Sequence, residues 1–506
     1  MNPSKFYDQL SKMLWYGLIL LLPITSFPLI VRMVGSDVVG LPSGVVLLVL
    51  GAVWYLPWLL KNHRFPRIYL PLLAFAMAAL LSTLLALLRG VPFASAGTFA
   101  VEGAKALVTL AVGAGMFFIA VEWLRQPGQI QTTLRLLNYS GLVVLLWSLM
   151  QALVFARSGS FPVWIYPIQG FFSTGKLYDM RVTGLALEPS WYAHQLNMLY
   201  LPYWFAASMH GYSAHRWRFL RRFSWENGLL LLGLAGLVMT RSRVGYLSFL
   251  AMALVYCWQL NQQLSKWLVA RMVNRVAIGG VEKEVKADKN LKIQKNLRIA
   301  IPVTLVLFYL ILLIGIAFGV SRMDARMATL FTIDTSRDQW LYHYLGRMDL
   351  GPRVTFWLSG WKVFEQYPLF GTGLGGSGFY VWDTIAPYGW TFDEVRRVLW
   401  LEGGIPNPKN LWVRLLAETG IVGFACFTSW LIVNANAAIE LVKKQSRFLK
   451  SLGTMGLMVL VGLIIEGFSV DSFALVYFWL GLGLPAAAYL RTLTPADQEG
   501  KQTVTV

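Results

Sequence analysis

The 506-residue chain is built around apolar runs about 20 residues long, the length that carries a helix across the hydrocarbon core of a bilayer. The runs fall near residues 13–31, 40–60, 68–88, 104–122, 138–156, 188–208, 227–240, 244–261, 300–320, 411–434, 452–468 and 473–490. Lipid cannot satisfy an exposed backbone amide, so such runs are expected to be helices. The short alternating segments of a membrane β-barrel do not occur. Charged residues make up only 14% of the chain, whereas a soluble domain carries about 25%. The expectation is an all-α polytopic membrane protein, a single integral membrane domain over 1–506 with about twelve transmembrane helices. Met1 to Leu22 reads as a retained first helix, because no small-residue cleavage site follows it.

A net charge of +19 raises the question of nucleic acid, and its distribution argues against it. With the N-terminus inside, 26 of the 44 Lys and Arg fall in cytoplasmic connections, as the positive-inside rule requires. These include Lys61, Arg64 and Arg67; Arg216, Arg218, Arg221 and Arg222; Lys443, Lys444, Arg447 and Lys450; and nine basic residues in the loop 262–299. Both termini, including the tail 491–506, are then cytoplasmic. The loop 262–299 reads as a solvated segment drawn to anionic headgroups, so the expected partners are membrane lipids and not nucleic acid. Cys257 and Cys426 lie in apolar stretches without paired spacing and read as packing residues.

Two segments on the opposite face are unusually long, 157–187 and 321–410, the latter between helices nine and ten. A connection of that length is more often functional than incidental. Within it Trp357, Trp361 and Phe364 recur at helical spacing, so 354–366 is expected to form a surface helix. Other aromatics, among them Trp382, Tyr388, Trp390 and Trp400, either anchor at the membrane interface or stack on sugar rings. Both readings stay open at this point.

Four clusters on that face carry candidate chemistry: Arg181 to Ser190, Thr240 to Gly245, Gly351 to Trp357, and Asn407 to Gly420. Charged residues near membrane depth are functional candidates by default. Arg241 and Arg243 sit between two apolar runs with almost no loop, which pins them at the mouth of the bundle. Guanidinium forks pair bidentately with phosphate oxygens, so several facing one cavity suit a phosphate or pyrophosphate. The run Gly371-Thr-Gly373-Leu-Gly375-Gly376 fits a dinucleotide fingerprint letter by letter but lacks the βαβ context. It reads as a flexible turn after the surface helix. No metal-ligand or cofactor motif occurs in the sequence, so neither is expected.

The stretches SRVGYLSF, PRVTFWLSGWKVFEQYPLFGTGLGG and PKNLWVRLLAETGIVG resemble the O-antigen ligase / Wzy-type polysaccharide polymerase superfamily. Glu188-Pro-Ser190 with Arg181 upstream is similar to a motif of its exopolysaccharide polymerases. The resemblance covers about residues 180–435 and implies a metal-independent, inverting glycosyltransferase of the GT-C-like membrane type. It would work at the outer leaflet of the bacterial inner membrane. Its donor would be an undecaprenyl-pyrophosphate-linked oligosaccharide, with a flippase and a chain-length regulator as partners. By match to the motifs, Arg243 and Arg353 would hold the pyrophosphate, with Arg181, Arg241 and Lys409 around it.

One position departs from the family. Ligases carry a histidine eleven residues before the signature glycine, and here Lys409 stands there. Lysine, with a reference pKa of about 10.4, is a better clamp than a base. The departure favours a polymerase over a ligase acting on lipid A core or protein. Glu188, at an expected partly buried helix entry, becomes the candidate base, with His194 and His343 as weaker ones. A transporter of lipid-linked glycan or an anion is the reading from another class. It would call for polar or broken helices at the midplane in repeated halves, and no repeat is seen in the sequence.

Overall fold

The computed structural model describes residues 3–37, 39–62, 65–94, 97–218, 223–278, 300–305, 307–308, 311, 315, 319, 328–329, 332–336, 338–402 and 404–493. Arg64, Arg221, Arg222, residues 279–299 of the basic loop, most of the run near 300–320, much of 320–337 and the tail from 494 lie outside them, as does the side chain of Cys257.

Among the described residues every regular element is helical, as backbone satisfaction in lipid demands. The protein is an all-α polytopic membrane protein. The helices are α1 (Pro3–Leu21), α2 (Pro42–Lys61), α3 (Arg67–Arg89), α4 (Phe99–Leu124), α5 (Gln129–Ser158), α6 (Pro189–Gln195), α7 (Leu201–His210), α8 (Trp225–Thr240), α9 (Arg243–Ile278), α10 (Gly351–Gln366), α11 (Leu411–Lys443), α12 (Arg447–Glu466) and α13 (Val476–Leu493). Six of them, α2 to α5 with α11 and α12, are long and apolar enough to cross a membrane. Other runs are interrupted for local reasons. The first stops at Leu21, ahead of Pro23, and Pro28 opens a separate short helix. The run at 188–208 becomes α6 and α7, joined through a π-turn at Leu196–Tyr200.

The described residues divide into two compact units, 1–248 with 349–506, and 249–348. The second holds most of α9, where the Arg271 guanidinium lies 5.0 Å from the Trp267 ring, and the short helix Trp340–Arg347, which carries His343.

In the first unit α11 packs on α3, α10, α12 and α13. Lipid tails are as apolar as leucine, so dispersion in close packing holds such helices together. Here it is concentrated in aromatics. Trp430 of α11 lies 4.9 Å from Trp479 and 5.2 Å from Phe117, all three fully buried. The helix expected over 354–366 forms as α10. Its Thr355, Phe356, Ser359, Gly360 and Val363 face is buried, while Trp361 is left exposed.

This unit has two chemically different ends. At one, Tyr69 donates to Glu122 (2.6 Å), Arg135 donates to the Ala214 carbonyl (2.7 Å), and Tyr212 packs on Phe448 (5.2 Å). The connections that carry Lys61 and Arg67, Arg216 and Arg218, and Lys443, Lys444 and Arg447 belong to this end. At the other, α8 and α12 end, α11 begins, and the four motif segments gather.

Candidate active site

The motif end is built in two halves. In the first, residues 178–183 lie against the turn between α8 and α9. The Val182 amide donates to Met239 O (3.1 Å) and Arg181 Nε donates to Thr240 O (3.0 Å). Arg241 closes α8 in the left-handed conformation (φ 49°), usually left to glycine, and its Nη1 lies 3.8 Å from Met180 Sδ. Ser242 then accepts the Gly245 amide (3.3 Å), so that Arg243 stands at the first residue of α9. Strained non-glycine backbone of this kind gathers at functional sites.

The second half surrounds the connection 467–475 between α12 and α13. Arg353, in the first turn of α10, donates from Nη1 to Ser469 Oγ (2.6 Å). Lys409, also left-handed (φ 52°), pairs with Glu394 and has Nζ 5.1 Å from the centre of the Phe356 ring. Its carbonyl accepts from Trp357 Nε1 (3.3 Å), which sets it beside the helix that carries Arg353. Arg414 Nε binds Glu418 Oε2 (2.9 Å) and its Nη1 donates to Asp471 O (2.7 Å). One Asp471 oxygen, Oδ2, is buried without a hydrogen-bond partner. Burial pushes the Asp471 carboxyl above the usual carboxylate range; Arg414 and Lys409 pull it back, and Glu418 adds to the rise.

Glu466 joins the halves. Asn197 Nδ2 donates both to Glu466 Oε1 (2.8 Å) and to Gly245 O (2.8 Å), two residues beyond Arg243. The backbone carbonyl of Glu466 receives the amides of Ser469 (2.8 Å) and Val470 (2.9 Å). His194 lies beneath, Nδ1 3.6 Å from Glu466 Oε2, both side chains 2% exposed and neither ring nitrogen hydrogen-bonded. The structure thus brings Arg181 and Arg241 to the α8–α9 turn that bears Arg243, and Arg353 and Lys409 to α10 and its neighbours. His343 belongs to the other unit.

Two expectations need correction. Glu188 is exposed rather than partly buried, and its carboxylate accepts the Ser190 hydroxyl (2.9 Å). Pro189 opens α6 directly after it, so Glu188 stands at the N-cap in an extended conformation (φ −140°, ψ 158°). The glycine run is no flexible turn. Gly371, Gly373 and Gly375 all have positive φ, and a Cβ at Gly371 would lie 2.5 Å from the Glu418 carbonyl carbon. Ser82 hydroxyl accepts the Gly373 amide (3.1 Å), and Ser377 donates to Glu418 Oε1 (2.9 Å). The run is a packed wedge against the α11 signature, which explains why that signature needs Gly420. Gly420 breaks α11 (φ 61°, ψ −169°), and a Cβ there would lie 2.2 Å from Leu369 O.

Arg414, Asp471, Ser469, Glu466 and Asn197 were not singled out in the sequence. Arg414 lies inside the recognised signature, at the i−4 position that pairs with Glu418, which is the signal that points to it.

Residues 228–428 match the family described as O-antigen ligase. No curated protein matches the chain.

Proposed function

We propose that this chain, which matches the O-antigen ligase family over residues 228–428, is a membrane glycosyltransferase. It joins oligosaccharide units carried on undecaprenyl pyrophosphate at the outer leaflet of a bacterial inner membrane. The observation that carries the reading is the gathering at one end of the first unit of Arg353, Lys409 and Arg414. They surround 467–475 and are tied through Glu466 and Asn197 to the turn bearing Arg241 and Arg243. Cations fixed before the reaction offset charge that builds on a leaving pyrophosphate, without reorganisation at the moment of transfer.

In this reaction an acceptor hydroxyl attacks the anomeric carbon from the face opposite the carrier. The bond from carbon to the pyrophosphate oxygen breaks, that oxygen keeps the electron pair, and the configuration inverts. Arg243 and Arg353 hold the pyrophosphate, with Arg181, Arg241 and Lys409 adding to the field. The hydroxyl proton passes to a carboxylate. Asp471 is favoured over Glu188 by its place among the cations and its unpartnered oxygen. Lys409 at the ligases' histidine position supports polymerisation over transfer to a lipid or protein acceptor.

Purified protein given only the lipid-linked oligosaccharide tests this. A ladder of products several units long is expected. Product that forms only when a separate lipid or protein acceptor is supplied would make the chain a ligase, and no transfer under either condition would overturn the reading.

A further inference from the structure

Beyond Lys409 the same unit carries an aromatic array that the cation site does not use. Trp390 and Trp400 stack with ring centroids 5.2 Å apart and planes 19° apart, and Trp382 lies 5.2 Å from Trp390 with its plane tilted by 39°. The ends of the row are open, with Trp382 47% and Trp400 60% exposed. The row is firmly held. Ser359 of α10 and Thr384 share a hydrogen bond (2.6 Å), which fixes the turn Val381–Thr384 that bears Trp382. Arg396 Nη1 donates to the Trp390 carbonyl (2.8 Å). Val395 and Leu399, on the segment leading to Trp400, are buried in one cluster with Phe356 and Val381. The row therefore shares α10 with Arg353, and Glu394 of the same segment pairs with Lys409.

Charged groups flank the row: Asp383 next to Trp382, Asp393 on the turn between Trp390 and Trp400, and Arg397 paired with Glu402 at 3.4 Å across Trp400. An indole face covers the apolar C–H side of a pyranose, and neighbouring carboxylates and guanidinium groups hydrogen-bond its hydroxyls. From this combination we propose that Trp382, Trp390 and Trp400 form a binding track for an oligosaccharide of pyranose units, leading away from the cation site. The proposal rests on the glycosyl-transfer reading and adds the surface that holds the sugar chain.

The test uses the full-length protein in nanodiscs and oligosaccharide released from its pyrophosphate carrier by mild acid, with binding followed calorimetrically. Saturable binding to the wild type is expected, weakened roughly tenfold in Trp382→Ala and in Trp400→Ala, while Trp400→Phe retains most of it. Bromolipid quenching is measured on the same proteins. Binding equal to wild type in both alanine variants overturns the track. So does a loss of bromolipid quenching in the variants with sugar binding unchanged, which would make the row a membrane anchor. Wild-type protein that elongates the donor yet binds no released oligosaccharide overturns the track alone. Wild-type protein inert towards the donor counts instead against glycosyl transfer.

Discussion

Arg353 reaches the connection 467–475 as a fixed cation, and Asp471 within that connection is a carboxyl with an unpartnered oxygen. Removing a cation preorganised for a leaving group typically lowers turnover about 10²-fold or more. Arg353→Ala is therefore expected to reduce transfer by about two orders of magnitude in single-turnover assays, with protein yield unchanged. Asp471→Asn is expected to lower turnover by roughly 10²-fold, the size of a general-base contribution. Because burial raises the Asp471 carboxyl, wild-type turnover should fall on acidification at a pH above the ordinary Asp value, about 3.9. The acid limb should disappear in what activity Asp471→Asn retains. The stability effect has the opposite sense. A raised carboxyl contributes stability that is full below the ordinary Asp value and is lost as pH rises through the raised one. Asp471→Asn should accordingly unfold at the same or a higher temperature than wild type at neutral pH. Near-normal turnover in Asp471→Asn with turnover lost in Glu188→Gln would return the base role to Glu188.

At the scale of elements, two features carry the site. The break of α11 at Gly420 lets the 367–372 backbone cross it, with the Ile421 amide donating to Pro368 O at 2.8 Å. That φ/ψ region is nearly glycine-only, so Gly420→Ala should cost about 3 kcal/mol and show as a sharp loss of thermal stability in detergent. The second feature is the bridge from Asn197 to Glu466. Glu466→Gln keeps an oxygen for Asn197 and should retain activity within about tenfold, whereas Glu466→Ala strands a buried amide and should lose more. Equal activity in the two variants would remove the bridge from the account. Much of this element level was legible from the chain. Apolar runs set the helices, and the spacing of Trp357, Trp361 and Phe364 set α10. Asp471, Ser469 and Glu466 were not legible, because they are single polar residues in a short connection and at the helix end before it. Their meaning comes from partners 57 to 269 residues away. Glu188 misled for the reverse reason: a carboxylate before a proline at a helix start reads as poised, and only the fold shows it exposed.

At the scale of the molecule, the account needs the motif end and the basic end to face opposite sides of the membrane. On a cysteine-free background, single cysteines introduced in 262–299 and in 380–390 should react with an impermeant reagent from opposite faces; reaction of both from one face would undo the topology. The central claim is that a preorganised set of cations at the motif end holds a lipid pyrophosphate during transfer. Product lengths formed by purified protein from a lipid-pyrophosphate-linked oligosaccharide test it most directly, with Arg243→Ala and Arg353→Ala compared with wild type. The account predicts a ladder from wild type and almost none from either variant, both folded and inserted. Chain growth that persists in both variants at the wild-type rate would contradict it.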